Sequence, residues 1–294
     1  MSETSMKYGI LTGVDGSAVS RAALAWTARE AAMRHEPVTL VHVVAPVTVS
    51  WPIASEQAAI AKWQEENARD VLIQARNDLI ATMDQSQPLE VRTEVLYSNV
   101  VHALVDASKD ARMIVVGSHG RGALGRFLLG SVSSGIVHHA HCPVAIIHAD
   151  ERSSIDAGAP IVLGIDGSPA SEAATAFAFD EAAIRGVSLI ALHAWSDVGV
   201  FPILGVDWRT YQSQGEEVLG ERLAGWQEQY PDVQVERRLV CDTPARWLLE
   251  ESRHAQLVVI GSHGRGGFGG MLLGSVSSAV AESAKVPVIV VRTQ

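Results

Sequence analysis

Glycines at a fixed spacing give this sequence its clearest chemical signal. Gly117 and Gly120 enclose a Ser-His pair, and after nine further residues Gly130 precedes Ser131. Because glycine has no Cβ, the backbone N–H groups of such a loop can approach a ligand closely. Where the loop leads into a helix, unpaired N–H groups and the helix dipole both attract anions. The segment therefore has the chemistry of a phosphate-binding loop.

The same spacing occurs again in the second half of the chain. There Gly261 and Gly264 enclose Ser-His, and after nine residues Gly274 precedes Ser275. Each segment follows a short apolar run and leads into a serine-rich stretch. An accidental match is improbable at an identical internal spacing, so the duplication favours a binding function in both halves.

Charged side chains near these glycines fit the same interpretation. Arg121 and Arg265 directly follow the second glycine of each segment and can neutralise phosphate charge. Asp15, at the end of an earlier apolar run, could accept a hydrogen bond from a ribose hydroxyl or hold Mg²⁺ through water. The simpler alternative is that the glycines form turns, that the serines cap a helix, and that Asp15 caps the first helix.

The repeat extends through most of the chain. Gly13–Ser17 (GVDGS) recurs as Gly164–Ser168 (GIDGS), and the glycine segments follow in the same order. A repeat of this length predicts two domains rather than a solenoid. A polar linker over residues 150–159 separates the two copies. We predict one domain at residues 1–150 (copy one) and the other at residues 151–294 (copy two).

Each copy contains five short β-type runs with helical segments between them. Several runs are almost wholly apolar, as in strands that are covered on both faces. Strict alternation of strand and helix predicts an α/β fold in each domain: a doubly wound, five-stranded parallel sheet in the order 3-2-1-4-5, with helices on both faces. The strands are predicted at residues 8–14, 38–44, 90–96, 112–117 and 144–148 in copy one, and at 160–166, 187–194, 233–240, 257–261 and 288–291 in copy two.

This strand order predicts where a ligand binds. In an open α/β sheet the ligand lies at the carboxyl ends of the strands, where the strand order reverses. Here the reversal lies between the first and fourth strands, whose following loops carry Asp15 and the Gly117 segment in copy one. Two features that are distant in sequence are therefore expected to meet in one crevice.

Composition and the other motifs argue against several alternative functions. The net charge is −10 and neither half is basic, unlike a nucleic-acid-binding protein. Two GxGxxG patterns follow the fourth strand rather than the first, which argues against NAD. The glycine loop lacks the lysine and Ser/Thr of a P-loop, and no Gly-x-Ser-x-Gly elbow is present. No catalytic residue is predicted.

Histidine and cysteine positions give further expectations. A zinc site is conceivable at the His138–Cys142 cluster, but copy two has Glu, Ser, Lys and Val at the equivalent positions, so no metal centre is predicted. His42 and His193 lie inside apolar strands and are expected to be core histidines. Two unrelated cysteines, a polar N-terminus and the lack of a membrane-spanning segment predict a cytoplasmic protein.

Taken with Asp15, the Gly-x-x-Gly-x9-Gly-Ser spacing resembles the ATP-binding pattern of the universal stress protein family. Two copies in one chain resemble the tandem bacterial form, and the resemblance covers residues 8–149 and 160–292. It implies one ATP per domain, with Mg²⁺ as a candidate companion ion and adenine near the end of the second strand. The implied site residues are Asp15, Val43, Gly117, Gly120, Arg121, Gly130, Ser131, Val132 and Ser133 in copy one, and Asp166, Ala194, Gly261, Gly264, Arg265, Gly274, Ser275, Val276 and Ser277 in copy two.

The resemblance implies a cytoplasmic ATP-binding regulator of the stress response or of growth arrest. It also implies a homodimer, and a regulator needs a protein partner, which the sequence does not identify. Two alternatives are a slow enzyme that hydrolyses ATP or transfers a phosphoryl group, and an interaction module with vestigial pockets. The missing P-loop lysine and general base favour the regulator over the enzyme, and the intact glycine pattern in both copies argues against vestigial pockets.

Overall fold

The computed structural model describes residues 6–46, 54–83, 89–120, 129–148, 156–194, 208–241, 243–264 and 273–293. The chain divides into two compact units, Met1–Ala149 (unit 1) and Asp150–Gln294 (unit 2). Within the described ranges, each unit contains five strands and four α-helices that alternate along the chain.

The elements follow the repeat seen in the sequence. Unit 1 contains β1 (Gly9–Gly13), α1 (Ala18–Arg34), β2 (Val38–Val44), α2 (Ala54–Thr82), β3 (Val91–Tyr97), α3 (Val100–Ala107), β4 (Ala111–Gly117), α4 (Ser131–His139) and β5 (Val144–Ile147). Unit 2 contains β6 (Ile161–Ile165), α5 (Pro169–Arg185), β7 (Leu189–Ala194), α6 (Trp208–Gln229), β8 (Val235–Val240), α7 (Pro244–Glu251), β9 (Leu257–Gly261), α8 (Ser275–Ser283) and β10 (Val288–Val291).

The five strands of each unit are hydrogen-bonded in one order. In unit 1 the order is β3-β2-β1-β4-β5, and in unit 2 it is β8-β7-β6-β9-β10. All of the neighbouring strands within each unit are parallel. The predicted fold class and the order 3-2-1-4-5 are therefore confirmed in both copies. Each strand begins and ends within two residues of its predicted position.

The central strands owe their apolar sequences to burial on both faces. Every residue of β5 and of β10 is buried, and β9 is buried up to its final glycine. In unit 1, α1 packs against α2 and α3 packs against α4, as expected when helices cover both faces of a doubly wound sheet. None of the described helices combines the length and the apolar character needed to cross a membrane.

A serine caps the first helix of each unit at its N-terminus. Ser17 Oγ accepts a hydrogen bond from Ser20 N, and Ser168 Oγ accepts one from Ser171 N. A serine in this position satisfies an N–H group that has no partner within the helix. Because these helices follow β1 and β6, the caps fix the loops that carry the Asp-Gly-Ser motifs.

Candidate functional site

A cavity of about 450 Å³ lies in unit 1, where the loops that follow β1 and β4 come together. This position is the one at which the strand order reverses, so the crevice expected from the topology is present. Of the predicted copy-one residues, Arg121 lies outside the described residues. The other eight all line the cavity: Asp15, Val43, Gly117, Gly120, Gly130, Ser131, Val132 and Ser133.

The glycines of this crevice are required by the close approach of its walls. A Cβ on Gly120 would lie 2.7 Å from Asp15 Oδ2, and a Cβ on Gly130 would lie 3.1 Å from the Cα of His119. A side chain at Gly120 would therefore displace the Asp15 carboxylate, and one at Gly130 would press on the backbone of His119. The same constraint applies to Gly117 against Val19 in unit 1 and to Gly261 against Ala170 in unit 2.

Helix α4 directs its N-terminus at the cavity. Gly130 is its N-cap, and the N–H groups of the first turn have no acceptor within the helix. Ser133 Oγ donates a hydrogen bond to the Gly117 carbonyl at 2.6 Å, which ties the helix to the end of β4. The proton of Ser133 therefore orders the loop, whereas Ser131 is exposed and lines the cavity. This arrangement suits an anionic group at the helix N-terminus.

Asp15 places one carboxylate oxygen in the turn before α1 and the other across the crevice. Its Oδ1 accepts a hydrogen bond from Ser17 N at 2.9 Å, which orders the turn before α1. Its Oδ2 lies on the side of Gly120, across the crevice. The carboxylate is half-buried and lines the cavity. One oxygen thus supports the helix start while the side chain as a whole faces the glycine loop.

Four polar side chains outside the predicted site set also line the cavity: Ser17, Ser20, His42 and His119. Ser20 is only 4% exposed, and within the described ranges its buried Oγ has no hydrogen-bond partner. His42 uses Nδ1 to contact the Val14 carbonyl at 2.7 Å, while no described group bonds to its Nε2. Buried polar atoms are normally paired, so a polar ligand would complete this site. The expectation that His42 is a satisfied core histidine holds for only one of its ring nitrogens.

Unit 2 repeats the geometry of the cradle. A Cβ on Gly264 would lie 2.5 Å from Asp166 Oδ2, and Ser277 Oγ donates to the Gly261 carbonyl at 2.7 Å. Of the predicted copy-two residues, Arg265 lies outside the described residues. The others occupy the equivalent loop, strand ends and helix start: Asp166, Ala194, Gly261, Gly264, Gly274, Ser275, Val276 and Ser277.

Unit 2 differs from unit 1 in the hydrogen bonds between its loops. Ser168 Oγ donates to the His263 carbonyl at 2.9 Å, which joins the loop after β6 to the loop after β9. Asp166 N donates to Ser171 Oγ at 3.1 Å. In the described part of unit 1 neither bond is present, and the equivalent Ser20 Oγ is unpartnered. Among the described residues, the segments around the crevice of unit 2 therefore make more hydrogen bonds with one another than the equivalent segments of unit 1.

The arrangement gives no indication of a metal centre. In the ranges that the structure describes, no three His, Cys, Asp or Glu side chains are grouped so as to hold a metal ion. Burial raises the pKa of Cys142 to about 12, so its thiol is protonated at neutral pH.

Comparison with known proteins identifies the family. The universal stress protein family matches residues 9–148 and 159–292. A universal stress protein of Mycolicibacterium smegmatis is 54% identical over 292 residues, and one of Mycobacterium tuberculosis (strain ATCC 25618 / H37Rv) is 52% identical over 293 residues; each match covers 99% of both chains. The fold is similar to the crystal structure of a universal stress protein from Archaeoglobus fulgidus DSM 4304, with a TM-score of 0.71, 23% identity and coverage of 97% of this chain and 98% of that chain. The chain therefore belongs to the universal stress protein family, as a tandem member with two such domains.

Proposed function

We propose that each unit binds ATP and that the protein acts as a regulator whose state follows nucleotide occupancy. One observation carries this proposal: the glycine loop, the N-terminus of α4 and Asp15 line a single cavity at the carboxyl edge of the sheet. These groups come from three separate segments of the chain. Their convergence gives a phosphate cradle and an acceptor for a sugar hydroxyl in one place.

The chemistry of the cavity changes along its length in a way that suits a nucleotide. The phosphate cradle lies at β4 and α4, and Asp15 follows the neighbouring strand β1. Beyond it, β2 and α3 contribute apolar side chains, including Val43 and Leu104. A volume of about 450 Å³ is also in the usual range for small-molecule pockets. Phosphates, ribose and base would each meet a matching surface.

A role for Mg²⁺ is part of the proposal. ATP usually carries the ion on its phosphates, and carboxylate oxygens suit it as further ligands, either directly or through water. Asp15 is the carboxylate that lines the cavity. The bound ion would offset negative charge on the phosphates. A P-loop lysine has this role in other nucleotide-binding proteins, and the glycine loop here lacks that lysine.

Slow ATP hydrolysis is the alternative, and one contact favours it. His119 lines the cavity, and its Nδ1 lies 3.0 Å from Ser118 Oγ; Ser262 and His263 form the same contact in unit 2. A histidine could accept a proton from an attacking water. However, Ser118 is buried, and no lysine lines the cavity among the described residues. Binding without rapid turnover is therefore the better-supported function.

We further propose that the protein works in the cytoplasm as a homodimer and passes its state to a protein partner. These statements rest on membership of the universal stress protein family, and the net charge of −10 is unlike that of a nucleic-acid-binding protein. Analytical ultracentrifugation with and without Mg-ATP tests the dimer. A single monomeric species under both conditions would contradict it.

Native mass spectrometry of the purified protein, without added nucleotide, tests the central proposal. We expect a mass increment of two ATP molecules per chain, released as ATP on denaturation. No bound ligand, and none taken up after addition of Mg-ATP, would contradict the proposal and favour an interaction module. Release of ADP and phosphate over minutes at 37 °C, measured on the same sample, would favour the enzyme.

A further inference from the structure

We propose that His42 selects the base of the nucleotide in unit 1. Its Nε2 would accept a hydrogen bond from an exocyclic amino group, so the site would prefer a 6-aminopurine. This inference rests on the proposed function, because it requires a nucleotide in the crevice. It adds a specificity-determining residue that lies outside the glycine pattern.

The hydrogen bond at the other ring nitrogen fixes the tautomer of His42. Its Nδ1 lies 2.7 Å from the carbonyl oxygen of Val14, and a carbonyl oxygen can only accept. Nδ1 therefore carries the proton of the neutral ring, which leaves a lone pair on Nε2. Nε2 is thus an acceptor, and the ligand group that it binds must be a donor.

This acceptor is available to a ligand. His42 is half-buried and lines the cavity. Among the described residues no group bonds to Nε2. A donor on a bound base can therefore form a hydrogen bond with this atom.

The strand order places His42 at the end of the crevice where a base would lie. Strand β1 lies between β4 and β2, so Asp15 separates the phosphate cradle from the end of β2. At that end, Val43 together with Val100 and Leu104 gives the cavity apolar walls. Such walls suit the faces of a planar base, and His42 is the polar group beside them.

The identity of the base follows from the acceptor character of Nε2. Adenine carries an amino group at C6, whereas guanine and hypoxanthine carry a carbonyl oxygen there. A carbonyl oxygen facing Nε2 would put two acceptors together and leave both without a donor. Sites built to bind a donor discriminate strongly against an analogue that lacks it. The geometry therefore favours adenine nucleotides.

Unit 2 does not offer the same acceptor. His193, which is equivalent to His42, is only 5% exposed. Its Nδ1 also lies 2.7 Å from a carbonyl oxygen, that of Ile165, and the residue has a further interaction. Selection by a histidine should therefore be measurable in unit 1 and absent in unit 2.

Calorimetric titration of two nucleotides tests the proposal. The ligands are ATP and purine riboside 5′-triphosphate, which has hydrogen in place of the amino group. Gly264→Ala protein reports on unit 1, because the added Cβ should displace the Asp166 carboxylate and weaken binding in unit 2. We expect ATP to bind about five- to tenfold more tightly than purine riboside triphosphate, since one hydrogen bond contributes about that factor. His42→Phe in this background should reduce the ratio to below about twofold.

The repeat supplies a matched control. Gly120→Ala protein reports on unit 2, and there His193→Phe should leave the ratio of the two affinities unchanged. Circular dichroism would show whether each phenylalanine variant keeps the helix content of its parent.

The outcomes separate this inference from the proposed function. Equal affinities for the two ligands in Gly264→Ala protein would overturn the role of His42 while ATP binding stands, and this comparison needs no change at position 42. A preference that survives His42→Phe would also overturn it. If Gly264→Ala protein binds neither ligand, the proposed function of unit 1 fails, and the role of His42 fails with it.

Discussion

Gly120 and Asp15 face each other across the crevice of unit 1, and a Cβ on Gly120 would lie 2.7 Å from the Asp15 carboxylate. Gly264 stands in the same relation to Asp166 in unit 2, at 2.5 Å. Real Cβ atoms do not make contacts this short, so an alanine would displace the carboxylate. The spacing of the glycines is thus coupled to the position of the only carboxylate predicted for each site.

Gly120→Ala combined with Gly264→Ala should abolish ATP binding, with a loss of at least about 100-fold in affinity at both sites. The added methyl groups would push Asp15 and Asp166 out of place and narrow the cradle. Both glycines lie in exposed loops, so the fold should persist. Titration calorimetry measures the affinity and circular dichroism the fold. Gly225→Ala is the matched control, because a Cβ there meets open space; unchanged affinity in the double variant would remove the argument.

Asp15→Ala should weaken ATP binding in unit 1 alone. The substitution removes the negative charge and also the acceptor for Ser17 N, whereas Asp15→Asn keeps an acceptor for that turn. We therefore expect the alanine variant to lose affinity more than the asparagine variant, and one ATP per chain to remain in native mass spectra. Equal loss at both sites would indicate coupling between the units.

Ser20→Ala should reduce ligand affinity in unit 1 without lowering the free energy of unfolding. The Ser20 hydroxyl is buried without a partner, so its removal should leave the free energy of unfolding unchanged or raise it by about 1 kcal/mol. If the hydroxyl bonds to the nucleotide, affinity in unit 1 should fall several-fold. Ser171→Ala is the contrast, because it deprives Asp166 N of its acceptor and should cost about 1 kcal/mol. Urea denaturation and calorimetry measure the two quantities, and equal destabilisation by both variants would contradict the prediction.

Arg34→Ala should destabilise the protein far more than Arg69→Ala. Both arginines pair with a glutamate one helical turn earlier at 2.5 Å, but Arg34 and Glu30 are 4% and 0% exposed, whereas Arg69 and Glu65 are 67% and 50% exposed. Loss of Arg34 removes a charged hydrogen-bond partner of the buried Glu30 carboxylate, at a cost of about 3 kcal/mol. Loss of Arg69 should cost less than about 0.5 kcal/mol. Similar shifts in urea denaturation would show that burial does not control these pairs.

The two cysteines should differ in reactivity. Burial raises the pKa of Cys142 to about 12, and Cys241 is exposed. A disulfide reagent at pH 8 should therefore label one thiol per native chain, and Cys241→Ser should abolish this labelling.

The raised pKa of Cys142 also has a consequence for the stability of the fold. Because an unfolded thiol ionises near pH 9 while folded Cys142 stays protonated, stability should fall as the pH rises from about 9 towards 12. Rapid labelling of native Cys142 would contradict both statements.

The fold could be predicted from the sequence because its signals are local and repeated. Buried parallel strands require continuous apolar runs, and prolines and glycines mark where those runs end. The crevice could be predicted because strand order alone decides which loops meet. The positions of Ser20 Oγ and His42 Nε2 could not, because each depends on the direction of one side chain within the packed unit. Apolar periodicity contains no such information.

The difference in hydrogen bonding between the two units could not be predicted from the sequence either. Ser17 and His119 have the same residue types as Ser168 and His263, yet the structure describes a bond between the loops only for the second pair. Identical residues at identical spacing cannot distinguish the two cases. Arg121 and Arg265 were predicted from the sequence to contact phosphate, and they stay a prediction because they lie outside the described residues.

The hydrogen bond between Ser168 and the His263 carbonyl bears on the ligand concentration at which unit 2 would fill. A ligand that parts these two loops must replace a hydrogen bond that unit 2 already makes. In unit 1, no described group bonds to Ser20 Oγ or to His42 Nε2. If both units bind ATP, they would therefore fill at different concentrations. One chain would then respond to the adenylate level over a wider range than a single site can cover, with an early threshold set by unit 1 and a later one set by unit 2.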